Sequence, residues 1–510
     1  MNIGPARLKL RGATLLMPAM AALACLWFGL VALATPFDHD ESQYIAGAYF
    51  SARLLIYRDF LYLQPPLHSW LFAPLALAFP AQTVVAMRLA TAACAMGTLC
   101  LLFAAQRVAG ISRWSALIAT GLMGATAAFQ FTGGVVRNDM LPTLLATTGM
   151  WAMLSALTMR KRSFWFVGGL CFGLAITAKL NFIPLGAAAG GFVLLDRRRH
   201  GWRPAIGFAL GGVSGILPAI LAWAMAPAAF LYGVITYGAT GPFAWYMANG
   251  AGDELALGEK LGDLAKYLWR GPSLVALVML AGHGWMRRAH AIEPERRLAL
   301  WLIGGGLVGA ALPTPSQLQY IMPLLPPLGL ALGHMLDDAR RWRDIAFAAM
   351  ALVLGLAALP GLLPTGRHVI AMARHGSPVL AAAANARWAG AQVRALTGDD
   401  EVVSLSPQQL VDGGLAMDRR FAAGPFVYRT GWTMDKGDAR QMNAMIPATL
   451  SDLDRDPPEA ILVGYEKGTR KLPLRPDDSL IAYARKRAYR MLIMPDGVGR
   501  LYVRTALRKR

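Results

Sequence analysis

TPFDHDESQYIAGAYFSARLLIYRDFLYLQPPLHSW, residues 35–70, is the stretch whose reading decides the fold. It follows a long apolar run and sits where water begins. Asp38, His39, Asp40 and Glu41 occupy four successive positions, an amphipathic stretch comes next, and Gln64-Pro65-Pro66 then leads to Trp70. Carboxylates beside an apolar boundary are costly unless they stay hydrated or bind something. Three of them at the outer end of a span suit a general base, a cation site or both. They equally suit a hydrated turn capping a helix that begins near Ser42. Local spacing alone leaves these alternatives open.

Working outward, the surrounding chain is that of a polytopic membrane protein. Of 510 residues, 55% are hydrophobic and 16% charged, whereas a soluble chain of this length carries more charge and fewer apolar runs. A spanning helix needs ~20 mostly apolar residues, and roughly ten such windows are visible. The net charge of +20 would suggest nucleic acid in a soluble domain. Here much of it falls in short loops between spans, so topology explains it and nucleic acid is not an expected partner. Cys25, Cys94, Cys100 and Cys171 all lie in apolar windows, which argues against a disulfide framework and shows no metal-type spacing. The basic N-terminus with its apolar run has the look of a signal peptide. Its length and the membrane segments that follow favour an uncleaved first span.

Arg7, Lys9 and Arg11 precede that span, at about 13–34, and place its start in the cytoplasm by the positive-inside rule. The 35–70 loop is then outside. Residues 67–79 are apolar but short and bounded by Pro80, which suggests a re-entrant or interfacial helix. Spans follow at about 88–108 and 114–131, the latter leading outward to Arg137-Asn138-Asp139. The chain returns to Arg160-Lys161-Arg162, climbs to Lys179 and descends to Asp196-Arg197-Arg198-Arg199. Further spans surround an aromatic outer segment at 230–270 and basic loops at Arg287-Arg288, Arg296-Arg297 and Arg340-Arg341. Every loop assigned inside is basic. The predicted fold class is an α-helical polytopic membrane protein with about eleven transmembrane helices and a C-terminal extracytoplasmic α/β domain. The division falls at residues 1–364 and 365–510. In the second part, short apolar strands at 401–405, 460–464, 491–494 and 501–503 alternate with helical stretches such as 480–488. Pro495-Asp496-Gly497 supplies a hairpin turn between the last two strands.

Asp40-Glu41-Ser42-Gln43-Tyr44, followed by Gln64-Pro65-Pro66-Leu67-His68-Ser69-Trp70, resembles the first outer loop of the GT-C superfamily of membrane glycosyltransferases. The nearest likeness is to bacterial lipid A aminoarabinose transferases and to dolichyl-phosphate-mannose-protein mannosyltransferases, the protein O-mannosyltransferases. The resemblance extends to Arg137–Asp139, to Lys179 and to QLQYIMPLLPP at 317–327. The family segment often carries Lys before Pro-Pro, where this chain has Gln64. The amide hydrogen-bonds but supplies no charge, so the sugar is left open. The resemblance implies an inverting glycosyltransferase that takes a hexose or pentose from a polyprenyl-phosphate donor. The acceptor would be a membrane lipid, glycan or protein on the outer face of a bacterial inner membrane, with the active site facing the periplasm.

The resemblance further implies that Asp40 is the catalytic base, which takes the acceptor hydroxyl proton as the anomeric carbon loses its phosphate. Glu41 would orient Asp40 or a hydroxyl, and Asp139 would be a second carboxylate. The leaving phosphate needs positive charge. Lys179, near the outer end of a span, is the first phosphate ligand to consider, against a lysine snorkelling to headgroups. Arg137 is second; Arg53 and Arg58 are weaker. Tyr44, Gln64, His68, Gln319 and Tyr320 are polar groups placed to contact the sugar, against plain interfacial anchoring. Trp245, Tyr246, Asp253 and Glu254 would cover the cavity or simply sit at the interface. No organic cofactor is called for. If a divalent cation binds, Asp38 and Asp40 are its Asp-x-Asp ligands. The competing class is a transporter or flippase for lipids or lipid-linked sugars, which predicts an inverted repeat and mid-membrane polar groups. Neither stands out here. A non-catalytic assembly protein is a third option.

Overall fold

The computed structural model describes residues 6–197, 201–288, 291–466 and 475–504. Arg198 and Arg199, expected among the basic loop residues that set topology, lie outside the described residues. Helix α1 (Ala6–Ala34) leads to the 35–70 loop, which holds α2 (Glu41–Ser51). Then come α3 (Leu67–Ala78), α4 (Thr83–Val108), α5 (Arg113–Gly124), α6 (Ala127–Gly134), α7 (Met140–Met159), α8 (Ser163–Ala178), α9 (Ile183–Leu195) and α10 (Arg203–Met225). The 230–270 segment forms a π-helical turn, Tyr232–Thr236, that continues into α11 (Tyr237–Ala248), and then α12 (Leu257–Trp269). The bundle closes with α13 (Ser273–Met286), α14 (Pro294–Ala311), α15 (Leu325–Trp342) and α16 (Asp344–His375). Among the described residues, four helices are long and apolar enough to cross a membrane, α4, α7, α10 and α16, or five if the bent pair α5–α6 counts as one span. Shorter apolar helices, including α3, α8 and α13, make up much of the rest.

The bent pair corrects the straight span expected at 114–131. The chain turns by 67° between α5 and α6. A bend inside an apolar bundle must satisfy the backbone groups it frees. Thr126 accepts the Phe129 N–H, and the Ala127 N–H donates to the Arg270 carbonyl at 2.9 Å. Glycines let two other segments pack into the break. A Cβ on Gly361 of α16 would stand 2.1 Å from the Ala125 oxygen. No proline marks the site, so the apolar pattern read straight through it. The bend matters because α6 then stops at Gly134 and releases the chain as the turn carrying Arg137 and Asp139.

Helices α8 and α10 cross closely because each presents glycines four apart, Gly169/Gly173 and Gly211/Gly215, the spacing that lets backbones approach in a membrane. A Cβ on Gly169 would lie 1.9 Å from the Phe208 oxygen, and one on Gly211 would lie 2.0 Å from the Phe166 oxygen.

The compositional boundary at 364 falls inside α16, which continues through Pro360 and Pro364 to His375. Gly376 turns the chain with φ 82°. Helix α17 (Pro378–Thr397) then starts from Ser377, whose hydroxyl accepts the Leu380 N–H at 3.3 Å. The five-stranded sheet that follows has the order β2-β1-β3-β5-β4, with β1 (Glu401–Ser404), β2 (Ala416–Met417), β3 (Ala460–Val463), β4 (Arg490–Ile493) and β5 (Arg500–Val503). β1 pairs parallel with β2 and β3; β5 pairs antiparallel with β3 and β4. Alternation along the strands splits the core. Val403, Ile461 and Tyr502 face one layer, while Val402, Leu462 and Leu501 face the other with α17. A further apolar cluster joins the two parts of the chain. Tyr44, Phe60 and Tyr62 of the 35–70 loop pack in one cluster with Val379, Phe426 and Ile446.

Candidate active site

The 35–70 loop is built on one buried ion pair. Glu41 and Arg88 are both 0% exposed, with Arg88 Nη2 and Nε 2.5 and 2.9 Å from the Glu41 carboxylate oxygens. The remaining donors of Arg88 reach the carbonyls of Ala32 and Thr35 at the end of α1. Glu41 also accepts the N–H of Val136 at 2.8 Å and of Asp38 at 2.9 Å. One side-chain pair thereby ties α1, α2, α4 and the turn after α6 together. A buried charge persists only when paired and hydrogen-bonded throughout, and this pair is. Both Glu41 oxygens are occupied, and Glu41 does not line the cavity. Arg88 was read in the sequence only as the start of a span; its partner is 47 residues away, so no local pattern revealed it.

The pair holds Asp38 and Asp40 at the wall of a cavity of about 730 Å³. The Asp40 N–H donates to Asp38 Oδ1 at 3.1 Å, which tightens the turn. Arg137, 4% exposed, bridges the two carboxylates, with Nη1 2.5 Å from Asp38 and 2.6 Å from Asp40. Its Nε reaches Asp139 at 3.2 Å, and Asp139 also pairs with Lys179 Nζ. The result is a chain of alternating charge, Asp38/Asp40–Arg137–Asp139–Lys179. Asp139, fully buried and held between two cations, does not line the cavity, although the sequence placed it there. Burial alone would raise the Asp40 carboxyl, but Arg137 and His39 outweigh it and hold the group well below the usual carboxylate range.

Of the other expected contacts, Lys179, Arg137, Tyr44, Gln64, Gln319 and Tyr320 all line this cavity. Lys179 stands at the break after α8, where φ −157° extends the backbone, and its Nζ lies 5.3 Å from the Tyr320 ring centroid. Asn138 Nδ2 donates to Gln64 Oε1 at 3.0 Å, which fixes the amide at the rim. His68 is the exception. It is 0% exposed, stacked on Phe72 with centroids 4.2 Å apart and edge-on to Tyr44, behind the cavity wall. Trp245, Tyr246 and Gln317 line the opposite side, with Gln317 Nε2 reaching the Tyr246 hydroxyl at 3.5 Å. Asp253 and Glu254 are not among the lining residues. Arg58 pairs with its neighbour Asp59 at the surface, 2.8 Å away, apart from the cavity.

The C-terminal part supplies lining residues that the sequence did not nominate. Phe426 and Arg429 reach into the cavity from the short helix Pro425–Arg429, with the guanidinium 4.7 Å from the Trp245 centroid and 4.8 Å from Phe426. His39 Nε2 is 3.0 Å from Glu466 Oε2, and Ser406 donates to the other Glu466 oxygen at 2.8 Å. On its other side, His39 Nδ1 is 3.6 Å from Asp40. Burial opposes the charged ring, yet the bonds to Asp40 and Glu466 prevail and raise His39 to about 9. The imidazolium therefore links Asp40 to the sheet domain. His39 lay in the quoted acidic run but gave no sign of its distant partner.

The residues that would ligate a divalent cation, Asp38 and Asp40, have Arg137 between them. Among the described residues, no group of three or more His, Cys, Asp and Glu side chains is arranged to hold a metal. A cation at this position would have to displace the guanidinium.

Residues 63–225 match the family described as dolichyl-phosphate-mannose-protein mannosyltransferase. No curated protein matches the chain. The crystal structure of ArnT from Cupriavidus metallidurans in the apo state is similar over 97% of this chain and 98% of that chain, with 15% identity and a TM-score of 0.61. The same protein bound to undecaprenyl phosphate matches with 17% identity, the same coverage and a TM-score of 0.60. At such identity the likeness is one of fold, and it runs from end to end. The resemblance drawn from the loop motif therefore extends to the architecture of the whole chain, including the sheet domain.

Proposed function

We propose that this chain is an inverting membrane glycosyltransferase that moves a hexosyl or pentosyl group from a polyprenyl-phosphate donor to a hydroxyl acceptor. The observation that carries the reading is the juxtaposition in one cavity of a carboxylate that stays ionised, Asp40, with two buried cations, Arg137 and Lys179. The match of residues 63–225 to a family of polyprenyl-phosphate-sugar users supports it. So does the shared fold with ArnT, one of whose structures holds undecaprenyl phosphate. In this reading the acceptor O–H gives its proton to Asp40 as its oxygen bonds to the anomeric carbon. The bond from that carbon to the phosphate oxygen breaks, and the phosphate leaves with the electron pair. Lys179 and Arg137 offset the charge it gains.

Asp40 bound to Arg137 is a weak base. Arg137 is shared between carboxylates and incoming phosphate, so donor binding draws the guanidinium away and restores basicity to Asp40 when it is needed. Asp139 holds Arg137 and Lys179 in place, and Tyr44, Gln64, Gln319 and Tyr320 contact the sugar. The reading counts about eleven crossings, including short and interior helices that need less apolar surface than lipid-facing ones. It places the cavity on the periplasmic face of a bacterial inner membrane because the loops at the other end of the bundle are basic. The acceptor is a lipid, glycan or protein on that face.

The test is sugar transfer by purified protein in lipid, from a panel of polyprenyl-phosphate sugars, with Asp40→Asn alongside. Wild-type transfer and loss of about 10³-fold in a folded Asp40→Asn variant is the expected result. If the wild type consumes no donor with lipid, glycan and protein acceptors supplied, the reading fails, and lipid-flipping assays become the next step. Equal activity in both proteins would keep the transferase and remove Asp40 from its chemistry.

A further inference from the structure

At the ends of α13, α14 and α15 opposite the cavity, a recess of about 140 Å³ opens on the outer surface of the bundle. Arg296, Ala299 and Leu300 near the start of α14 line the recess and Pro313 just past its end lines the cavity, so about 20 Å of helix separate the two. Its polar wall is cationic. Asp338 is one carboxylate shared by three donors: Arg296, at 2.6 and 2.7 Å, His283 at 3.0 Å, and Arg287. Arg288 adds a third guanidinium, resting 4.3 Å from the Trp285 ring centroid. Glu293 offsets part of this charge through Arg296 at 2.8 Å.

A basic cluster at a bundle end is by itself what topology requires. The second observation is His334. It lines the recess, is 6% exposed, and its Nε2 is buried with no hydrogen-bond partner. A buried polar atom left unmet costs free energy, and here it borders a cationic recess of a size for one small anionic group. The rest of the wall is apolar. Leu280, Ala299 and Met335 line it, and Ile292 and Leu300 beside it are 53% and 50% exposed. Cations at one end of a recess with exposed aliphatic side chains next to them are complementary to a headgroup phosphate with its acyl chains, and on the topology read from the basic loops this end of the bundle meets a leaflet's headgroups.

We infer that this recess binds the phosphate of an anionic phospholipid from the leaflet opposite the catalytic cavity, with Arg287, Arg288 and His334 as its ligands. The site is independent of the transfer reaction and stands or falls separately from it.

Full-length protein in mixed micelles, titrated with phosphatidylglycerol or phosphatidylcholine and read by native mass spectrometry, tests this. The expected result is one phosphatidylglycerol retained about tenfold more tightly than phosphatidylcholine. Arg288→Gln, which leaves the Asp338 pairs intact, should weaken retention about fivefold. His334→Phe, which removes the unpartnered ring nitrogen, should do the same without lowering the melting temperature. Arg341→Gln/Arg343→Gln, at the same bundle end but outside the recess, should change it less than about twofold. Equal retention of the two lipids, or equal loss in the outside variant, would show a diffuse surface field and overturn the site. Displacement by millimolar inorganic phosphate alone would identify a free-phosphate site and overturn the lipid assignment.

Discussion

Arg137 and Lys179 are both buried at the cavity wall, yet each already has a carboxylate partner in Asp139. A cation there is affordable only because of that partner. Lys179→Met therefore removes the counter-charge proposed for the phosphate and also leaves Asp139 with one cation instead of two. Single-turnover transfer from the polyprenyl-phosphate donor should fall about 10²-fold or more, with donor binding weakened as well. A fall in melting temperature without any change in transfer would reduce Lys179 to a structural partner. Asp40 is held ionised by Arg137 and His39. Its loss of charge in the donor-free protein therefore sits below the ordinary carboxylate range, and kcat/KM for the donor, which reports that state, should show no inflection from this group near pH 4 when followed downward from neutral pH.

Helices α1, α2 and α4 meet at Glu41 and Arg88, and α8 meets α10 at paired glycines. Breaking a buried pair by removing one charge costs about 3–5 kcal/mol because the other is stranded. Arg88→Met and Glu41→Gln should each lower the melting temperature sharply in detergent, while joint replacement should recover part of the loss. Additive losses in the double variant would count against direct coupling. At the glycine crossing, Gly211→Leu forces carbons into the Phe166 carbonyl, where even a Cβ would stand 2.0 Å away. It should abolish folded protein on size-exclusion chromatography. Gly238→Ala, with nothing within 4 Å, should be tolerated.

For the molecule as a whole, the joint between the helical bundle and the sheet domain bears on function. His39 to Glu466 is a charged hydrogen bond across that joint, next to Asp40. The folded-state value of His39 is raised from 6.5 to about 9. Its contribution is thus complete below pH 6.5, declines as pH rises, and is lost above about 9. Hydrogen exchange of the Pro425–Arg429 helix, followed from pH 6 to 10 and corrected for intrinsic rates, should speed up through that window. Glu466→Gln should flatten the dependence. An unchanged profile in that variant would separate His39 from docking. If docking is loosened, Phe426 and Arg429 leave the cavity, so transfer should decline over the same range.

Length, apolar windows and basic loops sufficed to identify a polytopic helical chain, because bilayer thickness and loop charge act on local stretches. The sheet strands were equally legible, since each is a short apolar run with its own turn signals; four of the five appear within a residue or so of their expected places. Asp40, Arg137 and Lys179 were legible as expensive groups at apolar boundaries, each costly wherever it folds. Tertiary structure alone decided how the costs are met. Glu41 went to Arg88 and out of the cavity, Asp139 went behind Arg137 and Lys179, and His68 went into an aromatic stack. The bend between α5 and α6 was equally hidden, because the Arg270 carbonyl that takes the Ala127 N–H and the glycines that pack into it come from segments more than a hundred residues away. The physical reason is the same throughout. A sequence prices each charge by its immediate neighbours, but a buried charge is settled by whichever distant group the fold brings within 3 Å.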